Sequence, residues 1–517
     1  MNFRSYLLSF LLLSPVFSNA QVGRVVDMGY PNMAFMPSDG IIDNMGNCFV
    51  LGHHLIGQND HACVTKFDPW FGELWSYTFN FNGGTGKVVQ AIDGNYLAAS
   101  STGVTADVFK ISQSGTMMWY HHFTNVYVLY DMWQDNNGDI YVCGNTLTGV
   151  CVMKLDAAGN ITWCNQYNKS PACNSMNGFC IRPTFDGKLV VAGNCFTMAN
   201  TPQNELFVMK IDRTAGNVSW SKVFRAPVSM VAHDIAESDI DHSLVICGMS
   251  SDGSGPTDMD ALILKTDMNG NYLFNKNFAN LYDDQFNGIA LAGEGSFMLV
   301  GNTKPTATCG GNVFFAKINS LADTLFTRTY GNSSGTGAIF NHLKNAAGGE
   351  FYTFGSGTLW GRINGGIEHE YLRVDSLAYV TCSLYPQGYN IDTLAITLTG
   401  TVSGSAFPPT STSTYTMGAD TLYAVDGCTS QVLAVQDEFL QNEFNVYPVP
   451  CSDHFTLQGA YANNGFCVTD ILGKIYAEEK QSSEPEVSVS TSSWPSGIYL
   501  LVPLDGKLRA RRIVVSH

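Results

Sequence analysis

Short apolar segments separated by turns rich in glycine, asparagine and aspartate run along most of the chain. One stretch shows the order most clearly, with apolar segments at residues 177–181, 188–192, 206–211 and 218–224. Asp186-Gly187 lies between the first two segments and residues 214–217 lie between the last two, and both have the composition of tight turns. This stretch therefore predicts four short strands that follow one another as an antiparallel meander.

A recurring pattern of polar and aromatic positions marks the third and fourth segments of each such unit. The pattern is Lys-x-Asp, then Gly, then an aromatic residue that is usually Trp. Clear copies begin at Lys66, Lys154 and Lys210, weaker copies begin at Lys110, Lys265 and Lys317, and a degenerate copy begins at Arg373. The copies are 44 to 56 residues apart, and a near-regular repeat of this length indicates a fold built from repeated units.

The repeat predicts an all-β fold, a β-propeller. A single four-stranded meander has two open edges and one unburied face, so copies must pack face to face around an axis to be stable. We predict about seven four-stranded blades within residues 21–386, with the most diverged blade at residues 339–384. Residues 22–27 are expected to add a closing strand to that last blade.

The residues of the repeat are expected to build blades rather than to carry out chemistry. The tryptophans that follow the turn should contact the next blade, and the lysines should lie over the blade or pair with an acid. The second strand of most units ends at a glycine, at Gly52, Gly144, Gly193, Gly248, Gly301 and Gly355. The loop between the second and third strands varies most in length between units.

The first 20 residues have the pattern of a secretory signal peptide. A basic start is followed by an apolar run at residues 6–17 and by a small-residue cleavage site, which predicts cleavage between Ala20 and Gln21. No later stretch is apolar over a length that could span a bilayer as a helix. The sequence therefore predicts an exported protein without a transmembrane segment.

Composition and charge are consistent with this class. Charged residues make up 14% of the chain, aromatic residues make up 12%, and there are 51 glycines, which fits many short strands and tight turns. The formal net charge is −17, which argues against nucleic acid as a partner, because nucleic-acid binding relies on basic patches. It also argues against binding to an anionic membrane surface.

The 14 cysteines do not define a disulfide framework by their spacing. Cys48 with Cys63, and Cys143 with Cys151, could bridge neighbouring strands, and an exported protein permits disulfides. Buried free thiols are the alternative. No Cys-x-x-Cys pair and no Cys/His zinc spacing occurs in the sequence.

The repeat pattern stops near residue 386, and residues 387–443 are expected to connect it to a second domain. Residues 391–402 alternate well enough for one or two strands, residues 405–414 have the composition of an exposed loop, and residues 436–443 have that of a tether. Residues 444–517 again alternate apolar and polar positions and predict a small antiparallel β-sandwich.

Several motif residues of this last segment stand in a characteristic order. They are Tyr447, Pro448, Pro450, Asp470, Gly473, Lys474, Gly497 and Tyr499. In this order, and with the basic and apolar strand at the C-terminus, the segment closely resembles the type A C-terminal sorting domain of the type IX secretion system of Bacteroidota. It departs at Val449, where the family usually has Asn, and at Arg511-Arg512, where a Lys is commonest.

This resemblance implies a route and a partner. The family implies export to the periplasm, passage across the outer membrane by the type IX secretion machinery, cleavage of the sorting domain, and release or anchoring at the cell surface. The propeller copies also resemble repeats of exported Bacteroidota proteins that carry this domain, a resemblance that implies no particular activity.

The sequence offers few candidates for chemistry. Asp252, Asp258 and Asp260 lie in an oxygen-rich loop that could hold calcium, although a turn before a strand explains them more simply. His53 and His233 are among the histidines that could in principle bind a metal. We predict no catalytic residues and no cofactor, with calcium as the one alternative.

We therefore expect a secreted or surface-displayed propeller that acts as a binding or adhesion module for an unidentified extracellular ligand, such as a glycan or a protein. The alternatives are a secreted hydrolase of glycans and a structural component of the surface. The enzyme hypothesis predicts two or more carboxylates close together on the propeller axis. The binding hypothesis predicts aromatic or polar residues there, at a funnel end, without an acid pair.

Overall fold

The structure, a computed structural model, describes most of the propeller and parts of the segments that follow it. The described residues are 24–29, 35–56, 59–170, 173–198, 203–251, 259–279, 282–304, 311–330, 339–346, 349–357, 368–378, 390–392, 397–406, 411–412, 417–419, 423–426, 446–447, 451–458, 465–470, 474–479, 486–503 and 511–516. Every regular element among them is a β-strand. The chain divides into two compact units, residues 1–433 and residues 434–517.

The first unit is a propeller of seven antiparallel blades. Blade 1 contains β2 (Phe35–Ile42), β3 (Cys48–Ile56), β4 (Asn59–Phe67) and β5 (Glu73–Asn82). Blade 2 contains β6 (Thr85–Gln90), β7 (Tyr96–Ser101), β8 (Ala106–Ile111) and β9 (Met117–Phe123). Blade 3 contains β10 (Val128–Gln134), β11 (Ile140–Asn145), β12 (Val150–Leu155) and β13 (Ile161–Ser170). Blade 4 contains β14 (Ser175–Pro183), β15 (Leu189–Thr197), β16 (Gln203–Ile211) and β17 (Val218–Arg225).

The remaining blades follow in chain order. Blade 5 contains β18 (Ser229–Glu237), β19 (Leu244–Ser251), β20 (Met259–Thr266) and β21 (Tyr272–Ala279). Blade 6 contains β22 (Asp284–Leu291), β23 (Phe297–Thr303), β24 (Asn312–Ile318) and β25 (Thr324–Tyr330). Blade 7 contains β26 (Ile339–Asn345), β27 (Phe351–Gly357) and β28 (Glu368–Val374), and its fourth strand is β1 (Arg24–Gly29) from the N-terminus.

The N-terminal strand closes the ring of blades, as the sequence predicted. β1 pairs antiparallel with β28, with Val26 opposite Tyr371. The first and last parts of the repeat region therefore share one sheet, which removes the open edge between the two ends of the ring. The core consists of apolar layers between successive blades, such as the layer of blades 3 and 4 that includes Tyr167 and Phe207.

The residues of the repeat hold neighbouring blades and turns together. Lys110 forms an ion pair of 2.7 Å with Asp93, and Lys210 forms one of 2.9 Å with Asp186, each acid lying in the turn between the first two strands of the same blade. The indole Nε1 of Trp75 donates a hydrogen bond of 3.0 Å to the carbonyl of Gln113 in the next blade. These contacts confirm the expected pairing of the lysines and the expected contact between blades.

Five further strands follow the propeller in sequence and run around its outer rim. They are β29 (Asn390–Asp392), β30 (Thr397–Ala406), β31 (Ser411–Thr412), β32 (Met417–Ala419) and β33 (Tyr423–Asp426). We call these five strands the belt. β29 pairs with β21 of blade 5, β30 with β17 of blade 4 and then β13 of blade 3, and β31 with β9 of blade 2. β32 pairs with β5 of blade 1, and β33 pairs with β1 in blade 7.

The belt includes residues whose composition indicated an exposed loop. Ser405 lies opposite Gln166 of blade 3, and Ser411 lies opposite Phe123 of blade 2. The outermost strand of each blade has one edge of unpaired backbone groups, and almost any extended segment can satisfy them. Side-chain pattern is therefore a poor guide to strands that are added in this way.

The second unit consists of two small sheets. One contains β34 (Val446–Tyr447), β35 (His454–Gln458) and β38 (Glu486–Ser490), and the other contains β37 (Ile475–Glu479), β36 (Phe466–Asp470), β39 (Gly497–Pro503) and β40 (Arg511–Val515). Phe455, Trp494 and Tyr499 pack in the core between them. Among the residues that the structure describes, no helix is long and apolar enough to cross a membrane.

The two cysteine pairs suggested by the sequence are not placed for disulfides. Cys48 lies opposite Phe67 whereas Cys63 lies opposite Gly52, so four residue positions separate them along the ladder. Cys143 lies opposite Val152, the neighbour of Cys151, so Cys143 and Cys151 point to opposite faces of the sheet. Cys143 and Cys151 are free thiols.

Candidate functional site

A β-bulge interrupts the innermost strand of six of the seven blades. The extra residues that these bulges insert are Ser38, Tyr130, Phe179, His233, Asn287 and His342. In a regular strand consecutive side chains point to opposite faces, and a bulge breaks that alternation locally. Each bulge can therefore turn its extra residue toward the propeller axis while the next residue also faces inward.

Contrary to the prediction from the sequence, the second strands do not end at the glycines. Gly52, Gly193 and Gly248 lie within β3, β15 and β19, and these glycines explain how the bulges fit. A Cβ atom on Gly144 would lie 1.9 Å from the carbonyl oxygen of Val128, and one on Gly248 would lie 1.9 Å from that of Val231. Only a residue without a side chain allows the inner strand to approach so closely. Blade 2 has Ser100 at the corresponding position, and its inner strand pairs regularly without a bulge.

All six bulge residues line one cavity on the propeller axis. The cavity has a volume of about 380 Å³, and its wall also includes His53, Gly84, Thr85, Gly86, Gln285 and Asn341. Every blade contributes at least one residue. The wall combines aromatic, imidazole, amide and hydroxyl groups, and none of these lining residues is an acid, a lysine or an arginine.

The aromatic side chains of the wall form a continuous arc across three blades. The rings of Tyr130 and Phe179 meet edge to face, with centroids 4.7 Å apart and planes at 68°. Phe179 in turn meets the imidazole of His233 at 6.2 Å and 83°. His233 is fixed by a hydrogen bond of 2.8 Å between its Nδ1 and the carbonyl of Phe286, so this side of the cavity is pre-formed.

The three histidines of the wall are held in the neutral state. Burial lowers the pKa of His53, His233 and His342 below the ordinary value, in the case of His342 to about 3, where Lys87 acts in the same direction. The Nδ1 atoms of His53 and His342 are buried and have no hydrogen-bond partner within the described residues. At neutral pH both imidazoles therefore line the cavity without adding charge.

A ring of alternating charges lies directly beneath the cavity, and we call it the ionic floor. It consists of Asp39, Lys87, Asp131, Arg182, Asp234 and Lys344, which come from blades 1, 2, 3, 4, 5 and 7. Most of these residues follow a cavity-lining residue within one to three positions of the same strand.

The pairs of the ionic floor connect consecutive blades. Lys87 lies 3.7 Å from Asp39 and 3.4 Å from Asp131, and Arg182 contacts Asp131 and lies 2.6 Å from Asp234. Lys344 returns to Asp39 at 2.9 Å. The three acids are at most 2% exposed, whereas Arg182 and Lys344 are partly exposed, so the floor is a network of balanced charges whose acids are buried.

Backbone contacts fix the acids of the floor. One carboxylate oxygen of Asp39 accepts a hydrogen bond from the amide of Val88, and one of Asp131 accepts from the amide of Ile181, each in the next blade. Burial alone would raise the pKa of Asp131, but Arg182 and Lys87 outweigh it and hold the pKa at about 2. In Asp234 burial prevails over Arg182, and the pKa is raised.

The calcium candidates do not meet at this site. Asp252 and Asp258 lie outside the described residues, and Asp260 lies on β20, the third strand of blade 5, opposite Ser250. Although His53, His233 and His342 share the cavity, no three His, Cys, Asp or Glu side chains in the described part of the chain are placed to hold a metal ion. The signal-cleavage residues Ala20 and Gln21 also lie outside the described part.

Four of the five described residues of the sorting motif lie on or next to the larger sheet of the second unit. Asp470 and Lys474 close a turn through two hydrogen bonds of 3.0 Å, from the Asp470 amide to the Lys474 carbonyl and from the Lys474 amide to the Asp470 carboxylate, and Tyr499 lies opposite Asp470 on the neighbouring strand. The hydroxyl of Tyr499 donates a hydrogen bond of 2.7 Å to the carbonyl of Pro495. Tyr447 begins the smaller sheet through β34, and Gly497 is the first residue of β39. Pro448, Pro450 and Gly473 lie outside the described residues.

The cavity was not identified from the sequence as a set of residues, although a usable signal is present. Four of the bulge residues precede the glycine of the second strand by 14 positions, namely Ser38 before Gly52, Tyr130 before Gly144, Phe179 before Gly193 and Asn287 before Gly301. The glycines alone do not show the bulge that each of them accommodates. The sequence indicates His53 and His233 as metal-ligand candidates and gives no such indication for His342.

Comparisons with known proteins found one matching family and a number of similar structures. Residues 445–516 match the family described as the secretion system C-terminal sorting domain. No curated protein matches the chain. Polysaccharide lyase Uly1 has a similar structure, with a TM-score of 0.46 and 10% identity over 66% of this chain and 90% of that chain.

Two further propellers are similar at the same level. The WD40 domain of Pan2 from Neurospora crassa has a TM-score of 0.41 and 11% identity over 69% of this chain and 98% of that chain. The β-propeller domain of the Trilobed protease from Pyrococcus furiosus has a TM-score of 0.39 and 8% identity over 66% of this chain and 94% of that chain. At such identities these similarities concern the fold alone.

The chain is thus a seven-bladed β-propeller protein with a type IX secretion sorting domain at its C-terminal end. That domain indicates export to the cell surface or secretion into the medium.

Proposed function

We propose that the exported propeller is a binding module and that its ligand places an uncharged, hydroxyl-rich group, such as a sugar ring, in the axial cavity. The observation that carries this proposal is the composition of the cavity wall, in which six bulge residues from six blades present aromatic, imidazole, amide and hydroxyl groups around a space of about 380 Å³. Small-molecule sites in proteins are concave spaces of this size with a few converging polar groups.

The polarity of the wall favours a neutral ligand. No charged side chain lines the cavity, and the three imidazoles are neutral at physiological pH because burial lowers their pKa values. The apolar face of a sugar ring would pack against Tyr130 and Phe179, and its hydroxyl groups would bond to polar side chains of the wall such as Gln285 and Asn341.

The arrangement of the acids favours binding over hydrolysis. Glycoside hydrolysis needs two carboxyl groups that flank the substrate, one of them free to transfer a proton. Asp39, Asp131 and Asp234 lie on the axis, but each contacts one or two cations and is buried beneath the cavity. Glu370 lies on the third strand of blade 7, opposite Asp27, and not on an inner strand.

The proposal is tested by binding of the purified full chain to an array of neutral and acidic glycans and to extracellular host proteins. We expect binding to neutral glycans, and Phe179→Ala should weaken it about tenfold, the equivalent of about 1.4 kcal/mol. Phe185→Ala is a matched control, because Phe185 is exposed on the turn at the other end of the same inner strand. Absence of binding to every glycan, or an equal effect of the two variants, would contradict the proposal.

The role of the sorting domain has a separate test. Deletion of residues 444–517 should leave the protein in the periplasm, measured by fractionation of cells and medium. Continued secretion of the truncated chain would contradict the assignment of the sorting signal to this segment.

A further inference from the structure

The ionic floor determines from which side a ligand can enter the cavity. Its residues continue the strands that form the cavity wall, for example Asp39 after Ser38 and Asp131 after Tyr130. They come from six of the seven blades, and their ion pairs link blade 7 to blade 1 and then each blade to the next as far as blade 5. The cavity is therefore closed at the end where these pairs meet.

The floor is fixed by more than its ion pairs. Lys344 also donates to the carbonyl of Gly40 at 2.7 Å, and Asp234 accepts from the amide of Ile289 at 3.3 Å in blade 6, which contributes no charge. Opening the floor would separate buried charges from their partners, which is costly in a dry interior. A ligand is consequently unable to thread along the axis.

The mouth of the cavity lies at the end where the inner strands begin. Gly84 and Thr85 of its wall stand at the junction of β5 and β6, and His53 stands near the end of the second strand of blade 1. The loops from the second to the third strand leave the propeller at this same end, and they vary most in length between the blades. A longer ligand must therefore extend outward from the cavity over these loops.

We infer that the cavity receives the terminal residue of a neutral glycan chain and not an internal segment of it. This inference rests on the proposed binding function and specifies which part of the ligand that site recognises. A blind, uncharged cavity can enclose a chain end on all sides, whereas an internal residue would need two exits for the chain. Only one exit exists, because the ionic floor closes the other.

Calorimetry with chains of different length tests the inference. The probes are linear, neutral oligosaccharides of glucose, galactose, mannose and xylose, each in a short form and in a form twice as long, with the full-length protein. We expect one protein molecule to bind each oligosaccharide, whether it is short or long. At equal mass of oligosaccharide, the short form should therefore provide twice as many binding sites as the long form. Linear maltoheptaose against cyclic β-cyclodextrin, which has the same linkages but no chain end, adds a second comparison if glucose chains bind.

The possible outcomes separate this inference from the proposed function. Stoichiometry that rises with chain length, or equal binding of linear and cyclic glucans, would overturn recognition of the chain end and leave the binding function in place. Binding to none of the probes or array glycans would overturn both. Tyr130→Ala should lower the affinity for short and long forms by the same factor, because both use one cavity, and a loss confined to the long form would also count against the inference.

Discussion

The protonation of His342 provides the sharpest test of the cavity, and the change we propose is His342→Asn. His342 is the bulge residue of blade 7, its backbone is left-handed with φ of 56°, and asparagine tolerates this conformation well among residues with a side chain. The substitution therefore removes the imidazole while keeping the shape of the backbone. His242→Asn, at a turn residue with φ of 54°, is the control for the backbone change itself.

The sign and size of the effect follow from the pKa of the imidazole. Burial lowers the pKa of His342 from the ordinary 6.5 to about 3, so between these values the unfolded chain binds a proton that the folded chain does not. The free energy of unfolding therefore rises with pH across this window. The stabilisation that the neutral imidazole contributes is lost progressively as the pH falls below about 6.5. Relative to its value at high pH, the free energy of unfolding would be lower by about 2 kcal/mol at about pH 5 for a fully enclosed imidazole. At about pH 7.5 it would be lower by less than about 0.1 kcal/mol.

Partial access to the cavity reduces this figure. Because one edge of the imidazole faces the cavity, solvent screening lowers the contribution, and we expect wild type to lose about 1–2 kcal/mol more than His342→Asn between the two pH values. The assay is denaturant-induced unfolding of both proteins at each pH. Equal losses in the two proteins would refute the view that His342 is held neutral by its surroundings in the folded state.

Three further predictions concern the parts that build the site. Asp131→Asn should destabilise the protein by about 3–5 kcal/mol in chemical denaturation, because Lys87 and Arg182 lose a buried partner. The exposed ion pair of Lys276 and Asp323 is the control, and removal of its carboxylate should leave the unfolding midpoint unchanged. Gly248→Ala should cost more than about 2 kcal/mol, since its Cβ would lie 1.9 Å from the oxygen of Val231, whereas a mild effect would contradict the tight contact at the bulge. Replacement of both Val402 and Ser403 by proline should make the belt sensitive to limited proteolysis, because at least one backbone amide that donates to blade 3 is lost. Unchanged resistance to protease would show that the belt is not held by its backbone pairing.

The propeller itself was largely predictable because its stabilising features are local. A turn such as Asp156 to Gly159 closes through hydrogen bonds of 2.8 and 2.9 Å from backbone amides to the aspartate side chain, and these residues lie within a few positions of each other. Lys110 and Asp93 likewise pair within one blade. Repetition of such short-range features fixes the number and order of the strands, so the sequence was sufficient to predict about seven blades and the closing strand at the N-terminus.

The cavity depends on contacts between residues that are far apart in sequence. Tyr130 and Phe179 meet across blades 3 and 4, and Lys344 reaches Asp39 across the closure of the ring. The spacing of Tyr130 and Phe179 to the glycine of the following strand is a local signal, but it does not show which residues of other blades they meet. The belt is a similar case, because it is held by backbone pairing on the blade edges, which leaves little trace in the side-chain pattern.

The sequence by itself determined the architecture and the destination of this protein, because a repeated turn and strand pattern and a sorting motif are both written in neighbouring residues. Only the tertiary structure decided what lies on the axis. Closure of seven blades brings one bulge residue from each of six inner strands into a neutral cavity. It also places three carboxylates and three cationic side chains beneath that cavity. Such a site exists only when the whole ring is assembled, since no single blade contains more than a small part of it.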